Sequence, residues 1–348
     1  MLSKTKQIIK RGLTGQRLIR NNKLNWLLKL TVVVLLCWVL YAQIVAREDI
    51  SAIWTTFKLN LAQSNPLLLA VAFLLMPMNW LLETLKWQKL VRHVEKVPFG
   101  RAIAGVMAGV SLSLFTPNRI GEYGGRILVV KPENNIKTVV VTLVGSFSQL
   151  VVLLSIGGMG LAFFVSRNLG PEQPVMLGIG VSVMLSVLLL LVCYFNIELV
   201  VPLIRKIPFI RKAEPYVTVL NVYRPGELLT VLTYSLSRYF IYSIQYYLLL
   251  QFLGVEVGLI DGLAGIALIF LLQTSLPLPP IWGILVRGEV ALYVWSYFTA
   301  NELSVLSATF GLWIINLIIP AMIGLIFILR VNVLSSLGYK TSDDKAEP

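Results

Sequence analysis

Two arginines and a glutamate follow a helix-breaking proline in the segment TPNRIGEYGGR. Pro117 lacks a backbone donor and interrupts a helix, and Asn118 suits the N-cap of a helix that starts there. Arg119, Glu122 and Arg126 then fall at i, i+3 and i+7 on roughly one face, with Glu122 and Arg126 as an i,i+4 pair. Guanidinium groups at a helix N-terminus favour a phosphate or another anion. Glu122 would orient the arginines or take a proton; the alternative is a cytoplasmic loop whose charges are merely solvated.

A second charged pair, Arg287 and Glu289, lies between apolar runs after Gly283. We expect this pair to meet the first charged group across two hairpin tips. The alternative is that Arg287 extends to the membrane interface while its stem stays in the apolar region. A further arginine, Arg238, lies eleven residues into a predicted span and needs a partner or a wet cavity. The candidate partners are Glu83, Glu122 and Glu289.

The two charged groups belong to a repeat, because residues 97–123 align with residues 259–285 at an offset of 162 without a gap. Each copy is an apolar stretch broken by Ser-Leu-x-x-Pro-x-x-x-Gly. Apolar segments interrupted at matching places in two halves point to a transport site between repeats. The alternative is chance similarity between two apolar helices. The predicted hairpin breakers are Pro117, Gly121, Pro279 and Gly283.

Composition sets the class of protein. The chain has 348 residues, of which 57% are hydrophobic and 14% are charged. Apolar runs near 20 residues suit membrane-spanning helices, since lipid cannot satisfy free backbone groups. We therefore expect an all-α polytopic membrane protein with inverted repeats, about six full transmembrane helices and two re-entrant helical hairpins. The predicted spans cover about 26–46, 66–85, 138–165, 175–196, 227–253 and 303–329.

Basic residues orient the spans under the positive-inside rule, which places both termini in the cytoplasm of a multi-pass inner-membrane protein. The formal charge of +13 follows this placement and does not indicate a nucleic-acid partner. The predicted cytoplasmic segments are a basic N-terminus at 1–25, a connector at 197–226 and a tail at 331–348. The first membrane repeat covers 26–196, with its hairpin at about 100–131. The second repeat core covers 227–330, with its hairpin at about 262–298.

Residues for enzyme chemistry are sparse. The chain has one histidine, His93, and two cysteines, Cys37 and Cys193, which lie in separate predicted spans. Neither a nucleotide-binding motif nor a cysteine pair at metal-ligand spacing occurs. We therefore expect no enzymatic activity, no metal and no cofactor.

The motif P-x-R-x-G-E-x-x-x-R from Pro117, and the segment from LPLP through Gly283 to Glu289, resemble a known family. They are similar to the membrane part of the lysylphosphatidylglycerol synthase family, also called flippase-like, and the resemblance runs from about residue 26 to 330. The family commonly has a Gly-Gly-x-Gly run before its second glutamate, where this chain has Trp-Gly-Ile-Leu-Val.

The resemblance implies a helical domain that moves, or helps to move, a polar-headed lipid between leaflets. Fused relatives carry a soluble aminoacyl-transfer domain, which this sequence lacks, so synthase activity is not expected. The predicted ligand is an anionic or glycosylated membrane lipid, and a separately encoded lipid-synthesising enzyme is a further partner. The alternatives are a secondary transporter of a small anion and a non-transporting membrane partner of a lipid-modifying enzyme. The predicted substrate-binding residues are Arg119, Glu122, Arg126, Arg238, Arg287 and Glu289, with Glu122 and Glu289 as candidates for proton coupling.

Overall fold

A computed structural model describes residues 22–41, 50–116, 119–170, 172–206, 211–275 and 280–339. These residues are helical or form short connections, and no strand occurs among them. The all-α prediction is therefore confirmed for this part of the chain. Most of the predicted N-terminal segment (1–21) and half of the predicted C-terminal tail (340–348) lie outside the described residues.

Seven α-helices lie in the described residues of the first half of the chain. Asn65 caps one of them by accepting a hydrogen bond from the Leu67 amide, with proline at the first helical position, where its missing donor costs nothing. The helices are α1 (Asn22–Leu40), α2 (Ile50–Gln63), α3 (Pro66–Val91), α4 (Phe99–Ser113), α5 (Gly121–Ile127), α6 (Asn135–Asn168) and α7 (Gln173–Phe195).

The second half follows a connector that contains only short helices. A π-helical turn at Ile314–Ile318 joins two of the later helices into one rod, Glu302–Arg330. The helices are α8 (Val200–Lys206), α9 (Glu214–Val217), α10 (Pro225–Phe252), α11 (Leu259–Ser275), α12 (Pro280–Trp295), α13 (Glu302–Trp313), α14 (Ile319–Arg330) and α15 (Val333–Ser336).

In the part of the chain that the structure describes, four helical segments are both long and apolar enough to cross a membrane: Pro66–Val91, Pro132–Asn168, Gln173–Phe195 and Glu302–Arg330. Two other predicted spans do not meet both conditions. The apolar part of α1 within the described residues is Leu24–Leu35, which is short. Helix α10 has 28 residues, but it carries polar side chains that are buried against other helices, so it need not be apolar throughout.

Helix α2 lies between the predicted spans at 26–46 and 66–85, where the sequence predicts only a connecting loop. Its aromatic residues explain the helix, because Trp54 stacks on Phe57 at 5.7 Å between ring centroids and Phe57 contacts Phe252 at the end of α10. The helix also packs against α13. The prediction of a loop there was wrong because burial against neighbouring helices is not visible in charge counts.

The helices of the two halves match at the offset of the sequence repeat. Shifting α3, α4 and α6 by 162 residues brings them onto α10, α11 and the α13–α14 rod. Their contacts match as well, since α4 packs on α14, α11 packs on α6, and α3 packs on α10. Each half therefore packs its broken segment against the long helix of the other half.

The two broken segments are anchored at opposite ends of α6. Glu95, which precedes α4, accepts hydrogen bonds of 2.9 Å from the Lys131 amide and from Asn134 Nδ2, just before α6 begins. The start and finish of α4–α5 thus lie together. At the other end of α6, Arg167 lies 3.9 Å from Asp261 at the start of α11. Phe164 contacts Tyr297, just beyond α12, at 5.1 Å between ring centroids.

Candidate functional site

Helix α3 carries a polar stripe in its apolar sequence. Asn79, Glu83 and Lys86 lie at i, i+4 and i+7, which places them on one face, and all three are buried. Asn79 lies midway along the helix, about 20 Å from either end at 1.5 Å per residue. Polar groups at this depth need partners, and the structure supplies them from three other helices.

Glu83 is the centre of the site. Its carboxylate lies 2.7 Å from Lys86 Nζ and 2.5 Å from Arg126 Nη2. It also pairs with Nη1 of Arg238 on α10. One buried carboxylate therefore pairs with cations from α3, α5 and α10.

The network continues towards α14. Arg238 donates from Nε to Asn79 Oδ1 at 2.9 Å, and Asn79 donates from Nδ2 to Asn316 Oδ1 at 3.1 Å. The guanidinium of Arg238 lies over the Trp80 ring, 5.3 Å from its centroid, which is cation–π geometry. Asn316 belongs to the π-helical turn, a distortion that is frequent at functional sites.

The first predicted motif forms the outer part of the same network. Glu122 Oε2 accepts from Arg126 Nη1 at 3.1 Å, and Glu122 Oε1 lies 2.6 Å from Arg119 Nη2. The Arg126 side chain is only 4% exposed, whereas that of Arg119 is 53% exposed. Arg126 Nε is buried without a hydrogen-bond partner among the described residues. The charged network is therefore enclosed at Arg126 and accessible to solvent at Arg119.

Backbone geometry differs from the prediction at the start of this motif. Helix α5 begins at Gly121, and Arg119 lies before it with φ of 58°. A positive φ is uncommon for a residue with a side chain and is typical of a forced turn. The Gly121 amide donates to Thr116 Oγ1 at 2.7 Å, which closes the turn. Arg119 therefore projects from the turn instead of lying in the first helical turn.

Glycines allow α5 to lie directly on α4. A Cβ on Gly125 would be 1.9 Å from the Gly109 amide nitrogen, and one on Gly121 would be 2.2 Å from the Leu112 carbonyl. Small residues let helix backbones approach closely in membranes. This contact holds Glu122 and Arg126 on the side of α5 that meets Glu83.

The second motif has no ion pair with this network among the described residues. Arg287 of α12 is half-buried and Glu289 is exposed. The structure therefore joins four of the six predicted binding residues through ion pairs, namely Arg119, Glu122, Arg126 and Arg238.

The predicted hairpin breakers are only partly described. Pro117 and Pro279, with the predicted cap Asn118, lie outside the described residues. Gly121 begins α5, and Gly283 lies within α12.

Three residues of the network, Asn79, Lys86 and Asn316, were missed by the sequence analysis. The predicted span at 66–85 ends just after Glu83 and excludes Lys86, but α3 continues to Val91. The signal that could have found Asn79 and Lys86 is their helical spacing with Glu83. Asn316 has no such pattern, because it is a single amide in an apolar run.

The arrangement can bind an anion. Among the described residues, four cations (Lys86, Arg119, Arg126 and Arg238) pair with two carboxylates (Glu83 and Glu122). Such an excess of positive charge away from water attracts negative groups strongly. No group of metal-ligating side chains occurs in the part of the chain that the structure describes.

A family model described as "Lysylphosphatidylglycerol synthase TM region" matches residues 26–324, and no curated protein matches the sequence. The match includes every residue of the charged network. The limits of the match lie close to those of the resemblance in the sequence, about residues 26 to 330.

Proposed function

This chain belongs to the lysylphosphatidylglycerol synthase transmembrane-region family, and from that premise we propose that it translocates, or helps to translocate, a lipid with an anionic or glycosylated head group between leaflets. Family membership supports a membrane protein of lipid metabolism. The proposed setting is the inner membrane, with both termini in the cytoplasm.

The observation that carries the proposal is the charged network around Glu83. It joins α3 and α5 of the first half to α10 of the second, with Arg238 at the middle of α10. A charge at this depth costs about 2.5–3.5 kcal/mol on insertion scales, so such residues are usually functional. The excess of cations supports a ligand whose head group carries negative charge.

The proposed mechanism uses the matching contacts of the two halves. In it, α4–α5 and α11–α12 are re-entrant hairpins of inverted repeats that enter from opposite faces. Their anchorage at opposite ends of α6 supports this topology. Rocking of one repeat against the other would expose the head-group site to each leaflet in turn, while the acyl chains stay in the bilayer. We propose no catalytic step, and a separately encoded enzyme would supply the lipid.

Leaflet-resolved lipid exchange in proteoliposomes tests the proposal. Wild type should accelerate exchange of an anionic or glycosylated lipid, and Arg119→Gln should slow it about tenfold, the usual loss for one charge-assisted hydrogen bond. Arg119 is half-exposed, so the variant should fold. The matched control is Arg330→Gln, since Arg330 is exposed at the end of α14.

The outcomes separate the alternatives. Equal traces for wild type and protein-free vesicles across a broad lipid panel would remove the translocation proposal. Uptake of a soluble anion without lipid exchange would favour a secondary transporter. A co-purifying lipid-modifying enzyme, with function unchanged in Arg119→Gln, would favour a non-transporting partner.

A further inference from the structure

The connector between the two halves of the chain is folded against the ends of the long helices. The Tyr194 hydroxyl, in the last turn of α7, donates to the Leu228 carbonyl in the first turn of α10 at 2.9 Å. The chain therefore leaves α7 and enters α10 at the same level. Ile197, Val201 and Leu220 of the connector are buried in one apolar cluster with residues of α3 and α6. The connector is thus a packed layer at the end of these helices.

The buried and exposed residues of this layer lie on different faces of the continuous helical stretch 197–206. Ile197 and Val201 are buried, whereas Leu199 and Leu203 are 61% and 57% exposed. Leu199, Leu203 and Lys206 fall at i, i+4 and i+7, which places them on one face. Lys206 is exposed as well. The outer face of the connector, defined by these three residues, therefore combines large apolar side chains with a lysine.

The leucines of this face lie beyond the end of α7 at Phe195. Exposed leucines are ordinary along a membrane-spanning helix, where lipid covers them, but exposure to water is unfavourable for apolar side chains. Contiguous exposed apolar residues rimmed by polar ones mark interaction sites. A partner of this face must therefore offer an apolar region close to the end of a membrane span.

The charge of the connector selects that partner. Residues 197–226 contain five basic and two acidic residues. Arg205 Nε lies 2.7 Å from Glu214 Oε1, but Lys206 and Lys212 are exposed and form no ion pair among the described residues. Lys212 belongs to a short turn that packs on α8. Helical segments with basic residues beside apolar ones bind anionic membrane surfaces, because the apolar side chains enter the head-group region while the cations attract anionic lipids.

We propose that the outer face of the connector docks on the membrane surface beside α7 and binds anionic lipid head groups there. Leu199 and Leu203 enter the head-group region, and Lys206 and Lys212 meet lipid phosphates. Docking fixes the boundary between the two halves at the membrane surface. The inference goes beyond the proposed function, since it requires only that α7 spans the membrane and is independent of lipid exchange.

Quenching of a fluorophore by labelled lipid tests the inference in the full chain. In a Cys37→Ser, Cys193→Ser background, Leu203→Cys carries the environment-sensitive probe NBD, and nitroxide-labelled phosphatidylcholine in nanodiscs is the quencher. Quenching should be strong in an equal mixture of phosphatidylcholine and phosphatidylglycerol, and weaker in phosphatidylcholine alone. Glu133→Cys, at an exposed position before α6, is the matched probe control and should be quenched little in either lipid.

Removal of the lysine charges tests the anionic partner. Lys206→Gln with Lys212→Gln, added to the probe at position 203, should reduce the difference in quenching between the two lipid compositions by about half, because two of the five basic residues are lost. Lys131→Gln, an exposed lysine outside the connector, is the charge control and should leave the difference unchanged.

Three outcomes would overturn the proposal. A probe at 203 that no lipid quenches would mean that the outer face meets water. Equal quenching in the two lipid compositions would refute the anionic partner. Blue-shifted probe emission without quenching would mean that protein, such as a second copy of the chain, covers this face. Leu199→Cys on the same face provides a second probe position, and both leucines are exposed, so neither change disturbs the buried cluster.

Discussion

Arg238 and Glu83 are 155 residues apart in the chain and form an ion pair between α10 and α3. The Glu83 carboxylate also forms ion pairs with Arg126 and Lys86. The pair therefore links the two halves of the molecule, from the middle of α10 to a point about 12 Å before the end of α3.

Glu83→Gln should destabilise the protein severely. The change leaves three cations without their shared carboxylate, and removing one partner of a buried ion pair costs about 3–5 kcal/mol. The measurement is the thermal midpoint in detergent, together with the yield of folded protein. Glu133→Gln, at an exposed position before α6, is the control and should behave as wild type. A Glu83→Gln midpoint equal to the control would mean that Glu122 suffices to neutralise the network.

Gly125→Ala should separate α5 from α4. The added Cβ would meet the Gly109 backbone at 1.9 Å, and backbone atoms cannot move aside as a flexible side chain can. We expect a lowered thermal midpoint and loss of lipid exchange, because Glu122 and Arg126 would leave Glu83. Gly178→Ala in α7 is the matched control, since a Cβ there meets nothing within 4 Å. If both variants behave alike, the close approach of α5 to α4 is not needed for stability or exchange.

The repeat and its breaks could be predicted from sequence because they depend on local residue types. Proline and glycine at matching positions predict two interrupted apolar segments, and the end of α4 at Ser113 agrees with that pattern for the first of them. The i,i+4 spacing of Glu122 and Arg126 likewise predicts their contact, which the structure confirms.

The centre of the site could not be predicted, because it depends on which helices pack together. Arg238 has three candidate partners by sequence, and only the packing of α10 on α3 selects Glu83. The predicted span at 66–85 excludes Lys86 for a related reason. Trp87 and Leu90 are buried and continue α3 beyond the point where charge counts end the span.

Tyr223→Phe should loosen the contact between the ends of α3 and α10. The Tyr223 hydroxyl donates to the Leu90 carbonyl at 2.7 Å, and burial raises the pKa of this phenol, so it remains a donor at any physiological pH. Its loss leaves the buried carbonyl of Leu90 without that donor, at a cost of about 1–3 kcal/mol. The measurement is the thermal midpoint between pH 6 and 9, where the difference from wild type should be constant. Tyr339→Phe, at an exposed position, should have no effect. A loss of thermal midpoint in Tyr223→Phe that changes across this pH range would contradict the hydrogen bond from Tyr223 to the Leu90 carbonyl.

Surface labelling of single cysteines tests the topology of the two broken segments. In a Cys37→Ser, Cys193→Ser background, Lys96→Cys and Lys131→Cys mark the two ends of α4–α5, while Ile260→Cys and Ser296→Cys mark those of α11–α12; all four positions are exposed. Because each pair of ends lies together at one end of α6, an impermeant maleimide should reach the first pair from one side of sealed vesicles and the second pair from the other. Reaction at 96 and 131 from opposite sides would mean that α4–α5 crosses the membrane, and alternating access through hairpins from opposite faces would then be excluded. Each mutant should react fully once the vesicles are opened with detergent, which controls for buried or misfolded protein.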